Sequence, residues 1–262
     1  MVFEMKMLYL GIFQLFGYFV EGCTGFGGTA IASPVNAMVL GPTVSVPYGT
    51  LISLAPLYWQ AIKGRHDISW KDLGRLLAVI LPCILLGNYL GYIMSPNVAK
   101  LGIGASVTVI ALMNIWKTIV RPFVLHKPVD VDNVIDTPAR KALRYTALIV
   151  GGAVHGAFNC GGPLMTVYIL SAVKDKVRFR NTMLAMWCVT NTINATRHAL
   201  TGLWTPYLWT AALTALPFCL FAFAMGRKFL YKINKEQFLR FVYVVLLVSG
   251  GSMFYNSLKT FL

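Results

Sequence analysis

Residues 21–29 read EGCTGFGGT, and residues 155–163 read HGAFNCGGP. Each stretch interrupts a long apolar segment with glycines, and the two interruptions lie at corresponding places in the two halves of the chain. Glu21 and His155, which begin the two stretches, are 134 residues apart, and so are Gly27 and Gly161. Glycine-broken helices that occur in matching pairs are typical of the binding sites of membrane transporters.

The composition around these breaks indicates a lipid environment. Hydrophobic residues make up 57% of the 262 residues and charged residues only 12%, which is too apolar for an ordinary soluble surface. A helix needs about 20 apolar residues to cross a bilayer. Segments of about that length are 76–94, 98–116, 207–225 and 238–254. We expect the first apolar segment, from about Met7, to remain as an anchor because no cleavage site follows it.

The positions of the basic residues predict the topology. If each break only kinked one crossing helix, the 23 basic residues would divide 13 to 10 between the two sides. If each break is the tip of a hairpin, the division is 19 to 4, with Lys6, Lys100, Arg197 and Lys259 on the minor side. Basic loops are retained in the cytoplasm, so we predict a cytoplasmic location for 63–75, 117–144, 174–180 and 227–240, and extracytoplasmic termini. The net charge of +14 is thereby explained by topology, which argues against nucleic acid as a partner.

The offset of the two halves predicts a duplication. Pro82 precedes Pro217 by 135 residues, and Gly91 precedes Gly226 by the same number. The fold predicted is an all-α polytopic membrane protein of two inverted-topology repeats, each with a Gly-broken helical hairpin plus three transmembrane helices. The repeats are residues 1–120 and 142–262, and a cytoplasmic linker, 121–141, joins them. The second segment of each hairpin, 29–40 or 163–173, is a half-helix of roughly 18 Å.

The breaks themselves predict an anion site. A helix N-terminus presents unpaired N–H groups and a partial positive charge, and glycine lets a ligand approach the backbone. Backbone that is unsatisfied at membrane depth must line a cavity or be buried in protein. Close helix packing is the alternative use of such glycines. The candidate anion-binding residues are Thr24, Gly25, Phe26, Gly27, Gly28, Thr29, Asn159, Cys160, Gly161 and Gly162.

Glu21 is the one acidic residue inside an apolar stretch, and His155 is its counterpart in the second half. Ionisable groups within a membrane are candidates for proton coupling. A structural role is the alternative for both, with Glu21 capping a helix end and His155 satisfied inside the core.

A polar stripe follows the second hairpin at helical spacing. Asn191 and Asn194 are candidates for hydrogen bonding to the anion, and Arg197 and His198 are candidates for its exit path. Hydrogen bonding between helices is the alternative for the two asparagines, and Arg197 could instead reach toward the outer surface.

The five cysteines lie in apolar stretches and lack metal-ligand spacing, so we expect small buried side chains, no metal and no cofactor. Two rival functions remain open. One is a membrane-embedded thiol or sulfur-handling enzyme that uses Cys23 and Cys160, and the other is an anion channel.

The duplicated order of these motifs resembles the TauE/SafE sulfite exporter family over nearly the whole chain. The resemblance rests on GFGG at 25–28 and on Pro82, Gly87 and Gly91, mirrored at Pro217 and Gly226. Pro34 matches the family's usual proline after the first break, whereas the second half has Tyr168 in that place.

The resemblance implies secondary transport of small sulfur-containing anions, such as sulfite, sulfoacetate or other organosulfonates, across a bacterial inner membrane, and no enzymatic activity. We expect such an anion to bind at the midplane between 24–29 and 159–163. The lipid bilayer is the other partner, and a homodimer is compatible with this plan.

Overall fold

A computed structural model describes residues 2–90, 137–158 and 161–260, with single positions between 101 and 120. Within these residues every regular element is helical, which confirms the all-α prediction for them. The helices are α1 (Val2–Thr24), α2 (Gly28–Leu40), α3 (Pro42–Lys63), α4 (Trp70–Leu90), α5 (Pro138–Phe158), α6 (Gly162–Ala172), α7 (Lys176–Leu200), α8 (Pro206–Lys232) and α9 (Lys235–Leu258). A single 3₁₀ turn, Arg65–Asp67, lies between α3 and α4. Most of the predicted linker, 121–136, lies outside the described residues.

The chain forms two compact units. Unit 1 comprises Met1–Ala78 and Ala172–Ile233, and therefore contains α1, α2, α3, α7 and α8. Unit 2 comprises Val79–Ser171 and Asn234–Leu262, and contains most of α4 together with α5, α6 and α9. Each unit takes helices from both halves of the sequence. The predicted halves are defined along the sequence, whereas the two units are defined by spatial contacts. The boundaries of the halves therefore stay predictions.

Two helices in the described part of the chain are long and apolar enough to cross a membrane. They are Pro206–Lys232, of 27 residues, and Glu236–Leu258, of 23 residues, and they contain two of the four predicted spans. The predicted span 76–94 falls largely within α4, which is helical as far as Leu90. Only scattered positions of 98–116 are described.

Large apolar side chains cover the outer face of several helices. Phe16 on α1 is 63% exposed, and Phe221 on α8 is 64% exposed. Soluble monomers rarely display apolar side chains of this size in contiguous rows. These faces are suited to contact with lipid chains.

The first break is a hairpin, because α2 runs back along α1. Gln14 Nε2 donates to Asn36 Oδ1 at 2.7 Å, which ties the base of the hairpin together. Nearer the tip, a Cβ atom on Gly17 would lie 2.9 Å from the carbonyl oxygen of Gly28, so the two backbones touch. With 13 residues, α2 extends about 20 Å, too short to cross a bilayer.

The second break has the same construction inside unit 2. The rings of Tyr145 on α5 and Tyr168 on α6 lie 5.2 Å apart, and the backbone of Gly151 touches that of Gly161. The 11 residues of α6 extend about 16 Å. Observed bounds of α2 and α6 agree with the predicted half-helices to within one residue at each end.

Glycine also lets whole helices pack closely within each unit. In unit 1, a Cβ atom on Gly22 would lie 2.5 Å from the carbonyl oxygen of Phe223, and Gly226 lies equally tightly against Phe19. Close contact of helix backbones through small residues is the usual way in which helices associate in a membrane. The hairpin helix α1 is thereby fixed against α8.

A similarly close contact between helix backbones occurs in unit 2. Gly87 on α4 lies against Ala153 on α5, as Gly226 lies against Phe19 in unit 1. The predicted correspondence of Gly91 with Gly226 stays a prediction. Gly91 itself lies outside the described residues.

Replacing Gly22 by Ala is expected to destabilise unit 1 by about 1–3 kcal/mol, because the added methyl group would force α1 away from α8. Thermal unfolding in detergent measures the effect. Gly74→Ala is the matched control, since no atom lies within 4 Å of a Cβ at that exposed helical position. It should be neutral or slightly stabilising, and equal loss of stability in the two variants would contradict the packing role of Gly22.

Candidate functional site at the first break

The chain between α1 and α2 adopts a conformation that requires glycine at two positions. Gly25 has a φ of 83° and Gly27 a φ of 92°, in the left-handed region that side chains disfavour. Thr24 ends α1, and its hydroxyl accepts from Phe26 N–H at 3.3 Å and lies 2.7 Å from the Phe26 carbonyl oxygen, to which it can donate. The turn is therefore compact and leads directly into α2 at Gly28.

The exposure of the turn residues is uneven. Thr24, Gly25, Phe26 and Gly28 are buried, whereas Gly27 and Thr29 are partly accessible. A ligand that reaches this turn within unit 1 would therefore meet Gly27 and Thr29 first.

Glu21 lies against the first residue of α2. A Cβ atom on Gly28 would collide with Glu21 Oε2, so the carboxyl group occupies the space where a side chain at position 28 would begin. Glu21 is buried, and its Oε2 has no hydrogen-bond partner among the described residues. A carboxylate is favoured at the positive end of a helix. The sequence leaves two roles open for Glu21, proton coupling and the capping of a helix end. This contact is compatible with both roles.

The position of Arg180 differs from the one that the sequence predicts. We expected it in a basic loop, but it lies in the second turn of α7 and is only 1% exposed. Its Nε donates to the carbonyl oxygen of Gly22 near the end of α1, and its Nη1 donates to Asn181 Oδ1 at 2.8 Å. Its guanidinium carbon lies 5.7 Å from the ring centroid of Phe223.

One nitrogen of this buried cation remains unused. Arg180 Nη2 is buried and has no hydrogen-bond partner among the described residues. The guanidinium lies near enough to Glu21 for their charges to interact, yet the two described side chains form no ion pair. A buried guanidinium that lacks a paired anion is costly, so the site has unused capacity for one.

A tryptophan fixes the position of the turn relative to α7. Trp187 Nε1 donates to the carbonyl oxygen of Gly25 at 2.9 Å, and a Cβ atom on Gly25 would lie 2.8 Å from the carbonyl oxygen of Arg180. The turn is thus held against the first half of α7.

The predicted polar stripe continues along the same face of α7. Asn191 and Asn194 are buried, as is His198, and spacings of four, three and four from Trp187 place them on one side of the helix. Asn191 Nδ2 donates to Ser53 Oγ on α3 at 3.1 Å, so the interhelical bond that the sequence left open is present. Arg197 is half-buried in the last turn of α7. The substrate roles of these residues stay predictions.

At the second break the structure describes only part of the predicted site. His155 is buried, and its Cβ lies 2.9 Å from the position of a Cβ on Gly161. Gly162 begins α6. Asn159 and Cys160 lie outside the described residues. All of these positions belong to unit 2, whereas the first break, Arg180 and the polar stripe belong to unit 1.

Apolar helices around a buried, glycine-broken hairpin are typical of membrane transporters, and this is the class of protein that the fold and the site define. The chain belongs to the TauE/SafE sulfite exporter family, because the family model described as "Sulfite exporter TauE/SafE" matches residues 10–253. Comparison with curated proteins gives no match, and comparison with solved structures gives none.

Membership in this family confirms a membrane location and a transport function. Its members are transporters rather than enzymes, and the activity of the family in general is the export of sulfite and related sulfur anions across a membrane.

Replacing Trp187 by Phe should destabilise the protein by about 1–2 kcal/mol, because the buried carbonyl of Gly25 loses its donor. Thermal unfolding without sulfite measures the stability of the protein. The additional stability in the presence of sulfite reports whether the turn is intact. Trp70, which is 63% exposed, provides the control variant Trp70→Phe, for which little change is expected. Unchanged stability of the Trp187 variant would show that this bond does not fix the turn.

Proposed function

We propose that this protein is a secondary transporter that exports small sulfur-containing anions, such as sulfite, sulfoacetate or another organosulfonate. In this proposal the anion binds at the first break, between Arg180 and the start of α2. The observation that carries it is the buried guanidinium of Arg180, whose Nη2 has no partner among the described residues and whose Nε donates to the carbonyl oxygen of Gly22 just before the turn.

The chemistry of the two partners supports this assignment. A sulfite or sulfonate group presents several oxygens, and a guanidinium can donate to such groups with well-defined geometry. The first N–H groups of α2 have no partner within their own helix and carry partial positive charge. A buried anion at this point would therefore meet both a full charge and a helix dipole.

The membrane potential favours the export of a monoanion from the cell. A membrane potential contributes about 2.3 kcal/mol per charge for each 100 mV, and a negative interior drives anions outward. Uptake against this potential would need a coupled cation, and Glu21 and His155 are the proposed proton-coupling groups. The position of Glu21 supports a role in proton coupling. Its side chain is buried at the start of α2, where its charge interacts with that of Arg180.

We further propose that the two halves are inverted repeats that alternate access to the substrate. Two pairs of contacts support a common design for the halves. Gly17 touches Gly28 in the first hairpin, and Gly151 touches Gly161 in the second, with Gly17 and Gly151 separated by the same 134 residues as the breaks. The proposed location is a bacterial inner membrane, with basic loops in the cytoplasm.

The proposal predicts that Arg180→Gln lowers the kcat/KM of sulfite efflux from proteoliposomes by roughly 30-fold or more, since truncating a buried, hydrogen-bonded charge costs about 2–5 kcal/mol. Arg178 lies two residues away, is exposed and provides the control variant Arg178→Gln, which should retain transport.

Arg180→Lys separates a structural from a functional role. This variant keeps the positive charge but loses the fork of donors, so it should fold and yet bind sulfite more weakly, as measured by the thermal stabilisation that sulfite confers. Full transport and full stabilisation by sulfite in folded Arg180→Gln would refute the proposed site.

A further inference from the structure

The guanidinium of Arg180 is held by two acceptors that belong to different helices. Its Nε donates to the carbonyl oxygen of Gly22 on α1, and its Nη1 donates to Asn181 Oδ1 on α7 at 2.8 Å. Two hydrogen bonds from different nitrogens fix both the direction and the plane of a guanidinium, because its donors form a rigid, planar fork. Nη2 is thereby held at a defined place, and it has no partner among the described residues.

Asn181 supplies one of these acceptors from a buried position. Only 2% of the residue is exposed, and both ends of its amide group are in contact with other residues. The oxygen accepts from Arg180, and the nitrogen donates to the carbonyl oxygen of Gly64, at the end of α3, over a longer distance of 3.5 Å. A guanidinium can only donate and a carbonyl can only accept, so the two partners require this orientation of the amide.

Gly64 lies directly against the same amide group. A Cβ atom at position 64 would lie 2.7 Å from Asn181 Nδ2 and 2.8 Å from its Cγ, and the three nearest atoms that it would meet all belong to this side chain. The φ of Gly64 is −98°, which is outside the left-handed region that favours glycine. A methyl group at position 64 would therefore act chiefly by displacing Asn181.

An asparagine at this place orients the cation without neutralising it. The amide oxygen carries no net charge, so the positive charge of Arg180 remains available to an anion. A carboxylate would accept the same hydrogen bond more strongly. It would then pair with the guanidinium and compete with an anion that approaches Nη2.

From these contacts we infer that Asn181 is a positioning residue of the anion site and acts through Arg180. Its amide oxygen holds the guanidinium so that Nη2 stays free for the anion, and its amide nitrogen links that orientation to the end of α3 at Gly64. The inference rests on the proposed function and deepens it, since it names the residue that sets the geometry of the proposed anion ligand.

Two substitutions at Asn181 separate positioning from a merely structural role. Asn181→Leu keeps the size of the side chain but removes its acceptor, whereas Asn181→Asp keeps an acceptor and adds a charge that pairs with Arg180. Without sulfite, the Asp variant should therefore unfold at a higher temperature than the Leu variant. The affinity for sulfite should follow the opposite order. The concentration that gives half of the maximal thermal stabilisation should rise roughly threefold in the Leu variant and roughly tenfold or more in the Asp variant.

A second measurement reaches Asn181 from outside the anion site. Gly64→Ala should weaken sulfite binding in the wild-type protein, because its methyl group displaces the amide, but should weaken it no further in Asn181→Leu. Gly74→Ala is the matched control for the added methyl group, since no atom lies within 4 Å of a Cβ at that position. Asn256→Asp, at an exposed position of α9, is the control for the added charge. Both controls should bind sulfite as the wild-type protein does.

The inference is overturned if both Asn181 variants bind sulfite as tightly as the wild-type protein, or if their order of affinity follows their order of stability. It is also overturned if Gly64→Ala weakens sulfite binding equally with and without the Asn181 amide. Each of these results leaves the proposed site standing, provided that Arg180→Gln loses the stabilisation by sulfite. Retained stabilisation in Arg180→Gln would instead refute the proposed site, and the positioning role with it.

Discussion

The buried guanidinium of Arg180 joins three helices at the point where α1 ends. It belongs to α7, donates to a carbonyl near the end of α1, and covers Phe223 on α8. Such a group is expensive to bury, and the surrounding structure meets that cost only in part, through Gly22 and Asn181. The remaining nitrogen, Nη2, is the group to which we propose that the anion binds.

The burial of this cation depends on glycines that act in different ways. Gly22 allows α1 and α8 to touch, which brings the Gly22 carbonyl and Phe223 to the same guanidinium. Gly25 and Gly27 supply the backbone angles of the turn, and Gly28 leaves space for the carboxyl group of Glu21. A side chain at any of these positions would alter the environment of Arg180 or of Glu21. The turn, Glu21 and Arg180 therefore depend on the same set of glycines.

The sequence predicted the hairpins well because their signals are local. Glycines at each break, and a following apolar segment too short to cross a bilayer, defined α2 and α6 to within one residue. The burial of Arg180 could not be predicted in this way. Counting basic residues assigns a side of the membrane but no depth, and a residue five positions into a helix can point outward or inward. The neighbouring sequence contained one signal for the burial of Arg180. An apolar run begins at Met183, shortly after Asn181, and Arg180 shares a helical face with Trp187 and Asn191.

The same limit applies to helix packing. Gly17 and Gly151 carry no turn signal, and only the folded hairpins show that their backbones touch Gly28 and Gly161. The close contact of Gly87 with Ala153 is likewise visible only in the packed helices. Polar side chains such as Asn191 were recognised by spacing, but their partners on other helices depend on packing that sequence periodicity does not specify.

The most direct test of the central claim is a crystal structure with selenite, because selenium marks an oxyanion by its anomalous scattering. The account predicts a selenium peak in unit 1 with its oxygens within hydrogen-bond distance of Arg180 Nη2, beside the first turn of α2. A peak found only elsewhere, with Arg180 Nη2 unchanged, would contradict it.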